Sequence, residues 1–140
     1  MRTVFHGGRL FDGTMAPLAE ADVVIEDGRI VGVGPGLDGD EDVDCTGKAL
    51  LPGLFDTHVH VTGTYEDDEL TIQHRPFSYG FYQTPKNLLT TIELGTLEPG
   101  KRADLVVVEG DALEVATIRD RVREVWKDGA LVAENGEVRR

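Results

Sequence analysis

Residues 50–60 read Leu50-Leu51-Pro52-Gly53-Leu54-Phe55-Asp56-Thr57-His58-Val59-His60, with Val61 next. An apolar strand that runs into Pro-Gly ends there, because proline lacks the N–H a ladder needs and the glycine opens a turn. A second element starts at once. Along 54–61 the side chains alternate, so His58 and His60 share one face and Val59 and Val61 the other, which is the period of a strand. The break at Pro52-Gly53 separates what comes before from what comes after.

Upstream, the chain reads as short strands punctuated by glycine turns. Val4-Phe5-His6 is followed by Gly7-Gly8, and Arg9-Leu10-Phe11 by Asp12-Gly13, which predicts a small β-meander. Ala21-Asp22-Val23-Val24-Ile25-Glu26, then Asp27-Gly28, then Arg29-Ile30-Val31-Gly32-Val33 is the clearest hairpin, with Asp-Gly where a type I′ turn needs positive φ. The Gly- and Asp-rich stretch 34–44 predicts an exposed loop. A short strand from Val43 then leads through Thr46-Gly47-Lys48 to Ala49-Leu50-Leu51.

Downstream, residues 65–69 are acidic and loop-like. Lys86-Asn87-Leu88-Leu89-Thr90-Thr91-Ile92-Glu93-Leu94 sets Leu88, Leu89 and Ile92 on one stripe, with Thr84 as N-cap, Pro85 at N1 and Gly95 as stop, so a helix is predicted over 84–95. Strand grammar then returns. Ala103-Asp104-Leu105-Val106-Val107-Val108 is a continuous apolar run, as for a central strand buried on both faces. Residues 113–118 suit a turn of helix. Val122-Arg123-Glu124-Val125-Trp126 pairs through Lys127-Asp128-Gly129 with Ala130-Leu131-Val132-Ala133, and Asn135-Gly136 makes a last turn.

The 140 residues suffice for one ordinary domain, or two small ones sharing a core, and 40% hydrophobic with 29% charged residues is globular composition. No apolar run approaches the ~18 residues of a membrane span. The start, Met1-Arg2-Thr3-Val4-Phe5-His6-Gly7-Gly8, has no apolar signal-peptide stretch, so a cytoplasmic location is expected. One cysteine, Cys45, rules out an intrachain disulfide and a four-cysteine metal site. A net charge of −12 repels phosphate backbones and argues against a nucleic-acid partner. With Asp exceeding Glu and only four Lys, the balance suits a halophilic source, where salt screens the self-repulsion.

Chemistry concentrates at His58 and His60. Two imidazoles on one strand face can bind one divalent cation of the zinc type. A bare His-x-His is as a rule an ordinary strand pair. Context changes the weighing: the pair ends a strand that starts abruptly after Pro52-Gly53, with Asp56 and Thr57 immediately before it.

The stretch 50–60 closely resembles the signature of the amidohydrolase superfamily, in which it ends the first strand of a metal-binding (β/α)₈ barrel. Val23 to Gly34 looks like the β-sandwich strands that precede the barrel in that family. Gly95-Thr96-Leu97-Glu98-Pro99-Gly100-Lys101-Arg102-Ala103-Asp104-Leu105-Val106-Val107 looks like the return from barrel to sandwich, and 122–132 like its closing hairpin. Residues 76–94 look closest to imidazolonepropionase-like and Xaa-Pro-dipeptidase-like members. The resemblance implies metal-dependent hydrolysis of C–N bonds in small amide or dipeptide substrates, with His58 and His60 as ligands of a divalent metal, zinc by type. Asp56 either orients a ligand histidine as a nearby carboxylate or caps a turn.

The departure matters as much as the match. A whole barrel takes about 250 residues, yet 34 positions lie between Val61 and Thr96. The family's remaining ligands, a lysine, two histidines and an aspartate, have no counterparts beyond His74 in a polar loop and Lys86 on the predicted helix. The expected fold is therefore mainly β: a composite β-sandwich with a short βα barrel remnant inserted. Its parts are 1–53 as the N-terminal half, 54–95 as the remnant, and 96–140 as the C-terminal half, as after an internal deletion near Gly95. The catalytic residues stay unassigned. A chain without turnover is expected, either as a hydrolase stripped of its site or as a structural, self-associating module.

The other candidates read more plainly. His74 is a solvated loop histidine, Cys45 a small buried residue without a paired base, and Glu66-Asp67-Asp68-Glu69 a solvated acidic loop rather than a cation site. Trp126 belongs to core or sandwich surface. Phe77, Tyr79, Phe81 and Tyr82, deprived of a barrel to pack on, would favour a homo-oligomer.

Overall fold

The computed structural model describes residues 1–14, 16–53 and 93–139. One compact unit comprises Met1–Leu54 and Leu94–Arg140. Its described residues form eleven strands in two sheets. The strands are β1 (Arg2–His6), β2 (Arg9–Leu10), β3 (Ala19–Glu20), β4 (Asp22–Glu26), β5 (Arg29–Gly34), β6 (Glu41–Asp44), β7 (Lys48–Pro52), β8 (Leu105–Glu109), β9 (Val122–Lys127), β10 (Ala130–Glu134) and β11 (Glu137–Val138). A 3₁₀ turn at Val115–Thr117 runs into one helical turn, α1 (Ile118–Arg121).

The smaller sheet has the order β5-β4-β1-β6 and the larger β11-β10-β9-β8-β7-β2-β3. All of the smaller sheet comes from the first 44 residues, whereas the larger interleaves both halves of the chain. Their facing sides share one core: Phe5, Val23, Ile25 and Ile30 from the first meet Leu10, Leu50, Leu105 and Val107 from the second. Phe5 and Trp126 stand edge to face across it, centroids 5.0 Å apart. This is the expected composite β-sandwich.

β8 is the middle strand of seven, and its alternation explains its uninterrupted apolar sequence. Leu105 and Val107 enter the shared core, while Val106 and Val108 join Ala49, Leu51 and Ala112 on the opposite side of the sheet. Phe11, Leu18, Ile118 and Val122 cover that second cluster. Burying each such aliphatic side chain contributes roughly 1.5–3 kcal/mol.

The hairpins form where Asp-Gly and Asn-Gly predicted them. Asp27, Asp128 and Asn135 have φ of 48°, 50° and 49°, each followed by a glycine with positive φ. Two expectations are corrected. β1 and β2 do not make a meander: β1 pairs with β4 and β6, and β2 with β3 and β7, so Gly7-Gly8 carries the chain from one sheet to the other. The stretch 34–44 is loop only in part, since its end forms β6, parallel to β1 with Phe5 opposite Val43. Backbone pairing to β1 outweighs the poor strand propensity of an Asp-rich segment. At the turn after β6, Thr46 N–H donates to Asp44 at 2.9 Å, and bonds from Thr46 hold that carboxyl below its ordinary range.

Residues 100–104 fasten the sheets together. Ile30 N–H donates to Lys101 C=O (2.9 Å), Ala103 N–H to Gly28 C=O (2.8 Å), and Gly129 N–H to Ala103 C=O (3.0 Å). Asp104 accepts the Asp128 N–H at 2.7 Å, and Arg102 pairs with the Asp128 carboxylate.

Candidate functional site

The candidate metal-binding stretch leaves the sandwich at the end of β7. Pro52 pairs with Leu105 at the start of β8, and the Gly53 N–H donates to Asp104 C=O at 2.9 Å. Proline fits there because β2 pairs with β7 only at Ala49 and Leu50, so no neighbour on that side needs an N–H from Pro52. The return path is anchored close by. Leu97 is buried in the core, and its N–H donates to Asp12 C=O at 2.9 Å.

Gly13 ties exit and return together. A Cβ on Gly13 would lie 2.5 Å from the Gly95 carbonyl oxygen and 3.2 Å from Pro52 Cγ, so only glycine permits this approach. Asp12 stiffens the corner by accepting from both the N–H and the hydroxyl of Thr14 at 2.8 Å. Asp12-Gly13 was legible as a turn; its contact with Gly95, 82 positions along the chain, left no local signal.

His58, His60 and Asp56 lie outside the described residues, as do His74, Lys86, the cluster Glu66-Asp67-Asp68-Glu69, the aromatics Phe77, Tyr79, Phe81 and Tyr82, and the predicted helix up to Ile92. Among the described residues, no group of three His, Cys, Asp or Glu side chains is placed to hold a metal ion.

Cys45 is fully buried, and that burial pushes its thiol up to about 12, the reverse of what a nucleophile needs. It fills the shared core, as read from sequence. Trp126 packs on that core while its indole N–H donates to Glu124 at 2.8 Å.

The described residues define a β-sandwich assembled from both halves of the chain, with 54–92 as an insertion between β7 and β8 in sequence. The chain is 35% identical over 107 residues to an adenine deaminase of Cereibacter sphaeroides, covering 76% of this chain and 17% of that protein. It is 42% identical over 71 residues to a dihydroorotase of Lactobacillus helveticus, covering 49% of this chain and 16% of that protein. Among solved structures, an N-acyl-D-glutamate deacylase of Bordetella bronchiseptica, complexed with zinc and a phosphonate inhibitor, is 36% identical with a TM-score of 0.34, covering 36% of this chain and 11% of that chain. No family model matches the chain. The chain belongs to the amidohydrolase superfamily. It spans about a sixth of the length of the curated relatives it matches.

Proposed function

We propose that this chain descends from metal-dependent hydrolases of C–N bonds and, as it stands, keeps their sandwich without their turnover. His58 and His60 are the metal ligands in this reading, and Asp56 orients one of them. Paired imidazoles suit zinc. A bound divalent ion would lower the pKa of a water and polarise a substrate carbonyl. Three protein ligands are the usual minimum for a catalytic zinc, and the sequence offers two in strand spacing. The substrate class of the lineage is a small amide or dipeptide, and the setting is cytoplasmic.

The observation that carries this reading is the closure of the corner. Pro52 pairs with Leu105, and Gly13 contacts both Pro52 and Gly95, so exit and return are held together. The 34 positions between Val61 and Thr96 compare with about 250 residues for a barrel. A self-associating role is the accompanying proposal, because a symmetric dimer would bring two His58/His60 pairs together and double the ligand count.

The test combines metal content with turnover. Purified protein dialysed against zinc is expected to retain the ion, lose it in His58→Ala, and leave amide and dipeptide compounds intact. Absence of retained zinc would overturn the ligand assignment. Zinc-dependent cleavage that His58→Ala abolishes would overturn the loss of turnover.

A further inference from the structure

Three turns here share one grammar: Asp27-Gly28, Asp128-Gly129 and Asn135-Gly136, the glycines at φ of 75°, 74° and 83°. In each, rotation could bring a side-chain carbonyl carbon toward the next residue's backbone nitrogen, and glycine has no Cβ to hinder that approach. The first two turns are blocked. A Cβ on Gly28 would sit 3.0 Å from the Asp128 carbonyl oxygen, and one on Gly129 would sit 3.0 Å from Gly28 Cα. Gly129 N–H is also engaged with Ala103 C=O at 3.0 Å. Neither turn can rotate without parting the two sheets.

The third turn is open. Asn135 and Gly136 are both exposed, and a Cβ on Gly136 would meet nothing within 4 Å. Beyond it lies β11, a two-residue strand at the edge of the larger sheet, held by the pairs Ala133↔Val138 and Glu134↔Glu137, by the Arg139 N–H to Val132 C=O bond at 2.8 Å and by the Arg139–Glu134 ion pair. Ring closure requires rotation about Asn135 ψ and χ1 to bring Cγ onto the Gly136 nitrogen, while the Asn135 N–H is held by Arg123 C=O at 2.7 Å. Solvent-exposed pairs in a two-residue strand at a sheet edge open locally at low free-energy cost, so this hairpin supplies the reactive conformers.

We infer that Asn135 is a site of spontaneous deamidation in the folded protein. The Gly136 nitrogen gives up its proton and bonds to Asn135 Cγ. The Cγ–Nδ2 bond breaks, and ammonia leaves with that proton, closing a five-membered imide. Water then adds to either ring carbonyl and returns aspartate or isoaspartate. Aspartate adds one negative charge between Glu134 and Glu137, where like charges already face each other across the pair. Isoaspartate inserts a methylene into the backbone and removes the Glu134↔Glu137 register, releasing β11. The turn is a chemical timer on β11.

Full-length protein incubated in warm buffer at neutral and mildly alkaline pH, then mapped by tryptic mass spectrometry, tests this directly. The peptide 128–139 should gain the mass of NH₂ replaced by OH, faster at higher pH, at a rate within about tenfold of the same chain unfolded in urea. Part of the product should carry isoaspartate. Asn135→Gln should abolish the conversion. An Asn135 that persists in the folded protein while the urea-unfolded chain converts would overturn the assignment, because the hairpin would then be protective.

Discussion

Gly28 and Gly129, each the second residue of an Asp-Gly turn on a different sheet, meet tip to tip: a Cβ added to Gly129 would lie 3.0 Å from Gly28 Cα. Both also have φ near +75°. Gly129→Ala therefore incurs backbone strain and a backbone clash together, and should cost about 1–3 kcal/mol in urea unfolding. Gly136→Ala is the matched control, with a φ of 83° but open space around it. It should cost less; equal losses would mean that the tip contact is irrelevant to stability.

The protein has one tryptophan, and Trp126 packs edge to face on Phe5. Phe5→Leu removes that ring pair and part of the core volume, so a loss of about 1–2 kcal/mol is expected. A red shift of the Trp126 emission should accompany it. An unchanged spectrum would contradict the packing of β1 against β9.

Cys45 should resist thiol reagents in the native state at mildly alkaline pH and react fully on unfolding. Its thiol is raised from 9.0 to about 12 by burial. The stability gained by keeping it neutral is then complete below pH 9 and lost as pH climbs from 9 toward about 12. Cys45→Ser places a hydroxyl in the shared core and should cost about 1–3 kcal/mol. Native-state modification at a rate matching the unfolded chain would refute the burial.

Added salt should raise the melting temperature. A net charge of −12 repels itself, and the Debye length shrinks from about 10 Å at 0.1 M to about 3 Å at 1 M. A melting temperature independent of sodium chloride would remove the halophilic reading of the composition.

Excising residues 54–94 and joining Gly53 to Gly95 through a few Gly/Ser residues should leave the sandwich folded. Gly13 already touches Pro52 and Gly95, so little chain is needed to close the gap, and loop-closure entropy grows slowly with length. Cooperative urea unfolding and the same Trp126 emission would be seen. A molten product would show that the excised segment is part of the fold.

The sequence alone determined what is local. Asp27-Gly28, Asp128-Gly129 and Asn135-Gly136 specified their hairpins because positive φ is a property of the turn residues themselves. The apolar run at β8 announced a strand buried on both faces, since no alternation was needed there. The pairing of His58 with His60 on one strand face is likewise a reading of sequence, their placement being outside the described residues. Tertiary structure decided the partnerships. That β1 and β2 separate into different sheets, that the acidic β6 lies parallel to β1, and that Pro52 meets Leu105 all depend on pairings between distant segments. Periodicity records which side of a strand is buried, and carries nothing about which strand lies beside it.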